Sequence, residues 1–295
     1  MAKAAPKPVG GEQAARRFRS LLYTPADRPE RYTKAWADGA ADIVCADLED
    51  AVAPEGKKAA RATVVKALRD VPASARTQRA VRVNPIGSSF HEEDLTAVLA
   101  AGPDLVVVPK CEDAVALAKL AARVEREAAG ATRLVAILET ARGVVDARDI
   151  LRAPGLAACC FGAEDLAADA GIRKGKDSRE VLAARQWVAL CAAAARVPAL
   201  DMITADYRDL ERCAAEAREA HDFGYRGKMC IHPAQVAAVH EAFRPGPEEL
   251  AWARKVVAAV EAAGVAKGGV VSVDARMVDV PVIQQARRIL ADAET

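Results

Sequence analysis

AVRVNPIGSSFHEEDL (80–95) holds one whole repeating unit: an apolar run, an arginine and an asparagine where it stops, a Pro-Ile-Gly turn, and the acidic first turn of a helix. A short apolar stretch that leads through turn residues into a one-sided helix reads as a βα unit. The same order recurs along the chain. Runs of β character stand at SLLYT (20–24), DIVCADLED (42–50), AVRVN (80–84), LVVVPK (105–110), LVAILET (134–140), AACCFGAED (157–165), ALDMI (199–203) and YRGKMCIHP (225–233). Between them lie segments such as RPERYTKAWADG and DLERCAAEAREAHDFG, whose apolar residues return every three or four positions and which end at glycine.

Apolar strands alternating with amphipathic helices imply a parallel sheet covered by helices, and eight such units imply closure into an α/β (β/α)8 TIM-type barrel. The rival, an open doubly wound sheet, would announce itself with G-x-G-x-x-G after the first strand; YTPADRP (23–29) stands there instead. The barrel is expected over 19–233. Beyond it come a helix at about 234–243, a turn RPGPEE, a helix at about 248–263, a glycine-bearing loop, a short VVSVDARMVDVP and a last helix to about 292. These read as a C-terminal helical cap or arm over 234–295, and the polar start, 1–18, reads as a flexible tail without the apolar core of a signal peptide.

Lys and Arg (42) almost balance Asp and Glu (41), so no overall field attracts nucleic acid or an acidic membrane, and an anionic ligand must be met by local charges. Aromatic residues make up only 4%, which argues against base-stacking platforms. No stretch is apolar enough to span a membrane. Seven scattered cysteines with no C-x-x-C pair point away from disulfides and zinc and toward a reducing, cytoplasmic setting.

In a (β/α)8 barrel the functional groups gather at the C-terminal strand ends. Those ends carry Asp47, Glu49 and Asp50 on strand two, Arg82 and Asn84 on three, Lys110 on four, Glu139 on five, Glu164 and Asp165 on six, and Lys228 and His232 on eight. Carboxylates converging from strands two, five and six need a compensating cation, and a hard divalent ion such as Mg²⁺ suits an all-oxygen set. The alternative, that these acids only cap the following helices, stays open at this point. His91 lacks the second histidine of H-E-x-x-H and reads as a helix start; His232 has no orienting partner in sequence. Neither G-x-S-x-G nor a P-loop is present.

The motifs RSLLYTPADRPERYTKAWADGAADIVCADLEDAVAPEGKKAAR, RVNP, VVVPKCED, AILETARGVVDA, CCFGAEDLAADAG, GKMCIHPAQVAAV and VDARMVDVPVIQQAR occur in this order between residues 19 and 290. Together they resemble the citrate lyase β subunit and its CoA-ester lyase relatives, within the HpcH/HpaI aldolase superfamily. The resemblance implies a Mg²⁺-dependent barrel, with Mn²⁺ able to replace Mg²⁺, that makes or breaks a carbon–carbon bond beside a coenzyme A thioester. By the same resemblance Glu139 and Asp165 are the metal ligands, and Glu49 and Asp50 stand just outside them. Arg82 receives the carboxylate of the 2-oxo acid. Asp279, in MVDVP, is the acid/base delivered from a neighbouring subunit; taken alone, it would read as a helix N-cap.

The implied reaction is retro-Claisen cleavage of a 3-hydroxyacyl-CoA of the citryl-, malyl- or citramalyl-CoA type to acetyl-CoA or propionyl-CoA and a 2-oxo acid. Malyl-CoA thioesterase or malate-synthase-like activity on the same site, or a carrier-dependent role in a citrate lyase complex, are the alternatives. A homo-oligomer, trimer or hexamer, is implied as well. YTPADRP departs from the family's usual F-V-P-G-D-R-P, and Cys45 and Ala46 stand where bulkier aliphatic residues are common; these changes bear on packing near the mouth.

Overall fold

The computed structural model describes residues 17–71, 76–264 and 269–294, so most of the expected N-terminal tail lies outside the described residues. Eight parallel strands close on themselves in chain order: β1 (Ser20–Pro25), β2 (Ile43–Asp47), β3 (Gln78–Arg82), β4 (Leu105–Val108), β5 (Arg133–Leu138), β6 (Leu156–Phe161), β7 (Ala199–Asp201) and β8 (Gly227–Cys230). β8 returns to pair with β1, with Leu21 opposite Met229. The barrel expected from eight apolar runs is therefore the observed fold.

Strand β2 shows why the runs look uniformly apolar. All five of its residues are buried, but on two different faces. Ile43 and Cys45 pack inside the barrel with Leu21, Ala80, Val107, Val135, Ile137, Cys160 and Leu200, while Val44 and Ala46 pack outward against the helices. A parallel sheet buried on both sides loses the alternation that marks a half-exposed strand. Each Leu or Ile so buried contributes about 1.5–3 kcal/mol.

The helices are α1 (Pro29–Asp38), α2 (Lys57–Asp70), α3 (His91–Leu99), α4 (Ala114–Ala128), α5 (Ala141–Val145), α6 (Ala147–Ile150), α7 (Ala163–Asp169), α8 (Leu182–Ala195), α9 (Leu210–Asp222) and α10 (Pro233–Ala242). Tyr32 and Trp36 of α1 are fully buried four residues apart, and the Trp36 indole N–H donates to the carbonyl of Val44, which fixes the helix over β2. α10 packs on α9, β1 and β8.

This last contact moves a boundary. The chain divides into two compact units, one spanning Phe18–Arg244 and one that includes Pro245–Thr295. The helix at 233–242, expected within the cap over 234–295, thus lies in the barrel's unit. The eighth strand, like the other seven, needs a helix to cover its outer face, and α10 supplies it through Val236 and Val239.

In the second unit, α11 (Pro247–Ala262), β9 (Val271–Val273), β10 (Arg276–Val278) and α12 (Val280–Glu294) enclose a small core of Ala253, Val256, Val260, Val273, Val278, Ile283 and Ala286. VVSVDARMV forms an antiparallel hairpin whose turn residues, Asp274 and Ala275, both have positive φ, 48° and 60°. That is the type I′ geometry which matches strand twist, although Asn-Gly is its usual sequence. All seven cysteines are free and buried. No helix among the described residues is long and apolar enough to cross a membrane.

Candidate active site

The inner-face rows end in polar side chains. Tyr23 follows Leu21, Asp47 follows Ile43 and Cys45, Arg82 follows Ala80, and Glu139 follows Val135 and Ile137, each two residues further along its row. With a two-residue side-chain period they enter the same space. They line, with Asp50, Glu164 and Asp165, a cavity of about 420 Å³.

Arg82 is firmly held there. Its Nε and Nη2 donate to the two oxygens of Asp47 at 2.7 and 2.6 Å, a bidentate pair. Its guanidinium lies 4.8 Å from the centre of the Tyr23 ring. Nη1 comes within 2.8 Å of Glu49 Oε2, yet the approach is off-line and that oxygen has no hydrogen-bond donor. Burial disfavours the charge, but Asp47 and then Tyr23 and Glu49 outweigh it and raise the Arg82 pKa. The family resemblance implies that this arginine receives a substrate carboxylate. In the fold, Asp47 already occupies two of its faces, and only Nη1 has no hydrogen bond to a carboxylate.

Lys110 brings the second cation. Its Nζ donates to Glu49 Oε1 at 2.6 Å and stands 3.5 Å from Asp165 and 4.0 Å from Asp50. Burial lowers its pKa, but Glu49, Asp50 and Asp165 together raise it. The residue sits at φ 49°, a left-handed conformation that costs a non-glycine residue roughly 1–2 kcal/mol. The backbone so bent directs the Lys110 N–H to Glu139 Oε1 at 2.9 Å.

Glu139 is nearly inaccessible, and its carboxyl is pushed up to about 8, first by burial and then by the negative charges of Asp165 and Glu49. Glu49 is raised as well, again chiefly by burial. Gly162 makes room beside Glu139: a Cβ there would fall 2.5 Å from the Glu139 Cβ and 2.7 Å from its Oε2. Among the described residues no three His, Cys, Asp or Glu side chains are grouped so as to enclose an ion. Glu139 and Asp165 both line the cavity, and a hard divalent ion commonly takes one or two carboxylates and fills its other positions with water or substrate.

Neighbouring groups fix the loops. Lys57 Nζ donates to the carbonyls of Leu48 and Glu49 and so pins the DLED turn. Asp94, fully buried, accepts from the Asn84 N–H, from Asn84 Nδ2 and from Arg61, while His91 Nδ1 meets the Asn84 carbonyl at 2.8 Å. HEEDL thus starts α3, as the sequence suggested, and also locks the RVNP turn.

Arg82, Glu49, Asp50, Glu139 and Asp165 are therefore brought together. Asp279 belongs to the second unit, where its backbone carbonyl accepts from Ile283 and its Oδ1 accepts from the Val282 N–H at 3.4 Å, the N-cap position of α12. Asp47 and Tyr23 carry more of the site than the sequence suggested. Their place at the ends of inward rows was a readable signal, but their pairing with a residue far along the chain was not.

A second cavity of about 670 Å³ shares Tyr23, Thr24, Pro25 and Ile231 with the first. Arg31 and Lys34 of α1 lie on its wall, with Tyr207 stacked on His232 at 4.8 Å. His232 Nδ1 accepts from the Ala234 N–H and caps α10, so that nitrogen is not free for proton transfer.

Residues 19–233 match the family model described as HpcH/HpaI aldolase/citrate lyase. A citrate lyase subunit beta-like protein of Deinococcus radiodurans is 40% identical over 279 residues, 93% of this chain and 96% of that protein. A (3S)-malyl-CoA thioesterase of Cereibacter sphaeroides is 36% identical over 280 residues, covering 94% and 95%. The crystal structure of CitE from Mycobacterium tuberculosis with magnesium, acetoacetate and coenzyme A superposes with a TM-score of 0.80 at 39% identity, covering 95% of this chain and 99% of that one. The chain belongs to the HpcH/HpaI aldolase/citrate lyase family.

Proposed function

We propose that the protein is a Mg²⁺-dependent carbon–carbon lyase that cleaves a 3-hydroxyacyl-CoA into an acyl-CoA and a 2-oxo acid. The observation that carries this reading is the buried Glu139 carboxyl, which faces a cavity beside Asp165 and is pushed up by burial and by the charges of Asp165 and Glu49, with the Lys110 N–H donating to one of its oxygens. Such a group calls for a cation, and an all-oxygen pair suits a hard one. Glu139 and Asp165 would hold the ion, and when bound it supplies Lewis-acid polarisation of the oxygens of the 2-oxo acid.

The remaining work falls to side chains. Arg82, fixed by Asp47 and standing on the cavity wall, offers its positive charge to the carboxylate of the acid and orients the bond to be broken. As the 3-hydroxyl loses its proton to water in the cavity and becomes a carbonyl, the electron pair of the C2–C3 bond passes into the thioester enolate, which then takes one proton at C2, so that no proton is gained or lost overall. Asp279 of a neighbouring subunit is the proposed donor, in a homo-oligomer that completes each site. Glu49, tied to Lys110, and Asp50 support the metal ligands from outside. The second cavity suits the coenzyme A arm: Arg31 and Lys34 offer cations for phosphates, and the Tyr207–His232 stack offers a face for a base.

The thioesterase relative favours one other reading, in which water attacks the thioester on the same site. Incubating the protein with malyl-, citramalyl- and citryl-CoA in Mg²⁺ or EDTA, and following acetyl-CoA, free CoA and 2-oxo acid separately, distinguishes the two. The lyase releases acetyl-CoA and 2-oxo acid in equal amounts and stops in EDTA. Free CoA without 2-oxo acid would establish the thioesterase.

A further inference from the structure

We infer that Gln235 is a positioning residue: its side-chain amide clasps the exits of β7 and β8 together and so fixes the wall that the two cavities share. The inference rests on the reading of the second cavity as the place of the coenzyme A arm, and adds to it a residue that lines neither cavity.

The clasp answers a weakness in the sheet. β7, at three residues, is the shortest strand of the barrel, and its register joins only two residue pairs to β6 and two to β8. The ladder stops at Asp201, so side chains must hold the segment that follows. Leu200 and Met229 face the barrel interior, and Asp201 and Lys228 beside them, opposite one another in the register, point outward. The fully buried Lys228 donates to the Met202 carbonyl at 2.7 Å and to Glu216 Oε2 on α9 at 3.2 Å. The same Glu216 oxygen accepts from Thr204 Oγ1 at 2.6 Å.

Gln235 closes the arrangement from the first turn of α10, where it is fully buried. Its Nε2 donates to the Thr204 carbonyl at 2.9 Å, while its Oε1 accepts the N–H of Ile231 at 2.9 Å and that of His232 at 3.3 Å. One amide thus satisfies three backbone groups that lie beyond the strands, and such groups are unfavourable when buried without a partner. The segments it joins are those that meet ligand. Ile203 lines the first cavity, Tyr207 and His232 line the second, and Ile231 lines both. Glu139 and Asp165 stand elsewhere, at the exits of β5 and β6. Loss of the clasp should therefore weaken what lies along the shared wall and spare the ion.

The test uses the full chain with two substitutions. Gln235→Met keeps the size and removes all three bonds; Gln235→Glu keeps the acceptor for the two N–H groups and, as a carboxylate, loses the donor to Thr204. Calorimetry with coenzyme A alone and with Mg²⁺ alone is expected to show coenzyme A weakened at least about fivefold in the methionine variant and less in the glutamate variant, with Mg²⁺ affinity held within about twofold in both. In Mg²⁺, kcat/KM for citramalyl-CoA should fall at least about tenfold in the methionine variant. A merely structural role would lower the melting temperature and leave the affinities of the folded protein unchanged. That result, or an equal loss of both affinities, overturns the inference. If the methionine variant does not fold, the glutamate variant decides, and unchanged coenzyme A affinity in it overturns the inference. A wild-type chain that binds no coenzyme A overturns the reading of the second cavity and the inference with it, whereas one that binds it but releases no 2-oxo acid overturns the lyase reading alone.

Discussion

Glu139 pays most visibly for its position. An unfolded glutamate titrates near 4.3, whereas burial, Asp165 and Glu49 lift this one to about 8 in the folded chain. A raised carboxyl favours the protonated folded state, so its contribution to stability is complete below about pH 4.3 and is lost as the pH climbs through 8. We predict that in EDTA the wild-type protein loses thermal stability between pH 5 and 8.5, and that Glu139→Gln flattens this slope. At pH 8 without metal the glutamine variant should melt higher by about 4 °C or more. It should also show no metal-dependent turnover, and added Mg²⁺ should reverse the order of melting temperatures. Equal pH slopes for the two proteins would refute the assignment of Glu139 as the strained, cation-seeking group.

Elements place these residues through very small tolerances. β5 and β6 run so close at their ends that only a glycine fits at 162, although its φ of −101° is open to any residue. Gly162→Ala should therefore displace the Glu139 carboxyl and lower turnover at least about a hundredfold, as expected when a reacting geometry shifts by an ångström. Circular dichroism should still report a folded barrel; wild-type turnover would show that the strand ends part freely. The hairpin β9–β10 offers the opposite case. Ala275 sits at φ 60° without a glycine's freedom, and Ala275→Gly should stabilise the C-terminal unit by about 1 kcal/mol, read from its urea midpoint. These two positions also show what a sequence can convey. The strand ends with their charged residues were legible because parallel strands read as apolar runs with abrupt polar exits. The two-residue turn was not, because Asp-Ala carries none of the Asn-Gly signal, and the Lys110 cation could be listed at a strand end but not paired, since its partners arrive from β2 and β6.

At the scale of the molecule, the eightfold alternation fixed the barrel, and the need to cover β8 explains why its unit extends to Arg244. What no alternation reveals is whether Asp279 serves its own barrel or another. Mixing inactive Arg82→Ala and Asp279→Ala proteins and allowing subunits to exchange should restore activity toward a quarter to a half of an equal amount of wild type if sites are shared, an order-of-magnitude expectation from the fraction of mixed mouths that regain both groups. Demonstrated exchange without recovery would assign Asp279 to its own chain. The cysteines make this question open to spectroscopy. All seven are enclosed by the fold, so the native chain presents no accessible thiol to a label. A single Met277→Cys substitution, on the outer side of the hairpin where Met277 is 68% exposed, would accept a fluorophore or spin probe at one defined point. Distances between such probes in an assembly would then trace where each arm reaches, without removing a single native residue from the barrel.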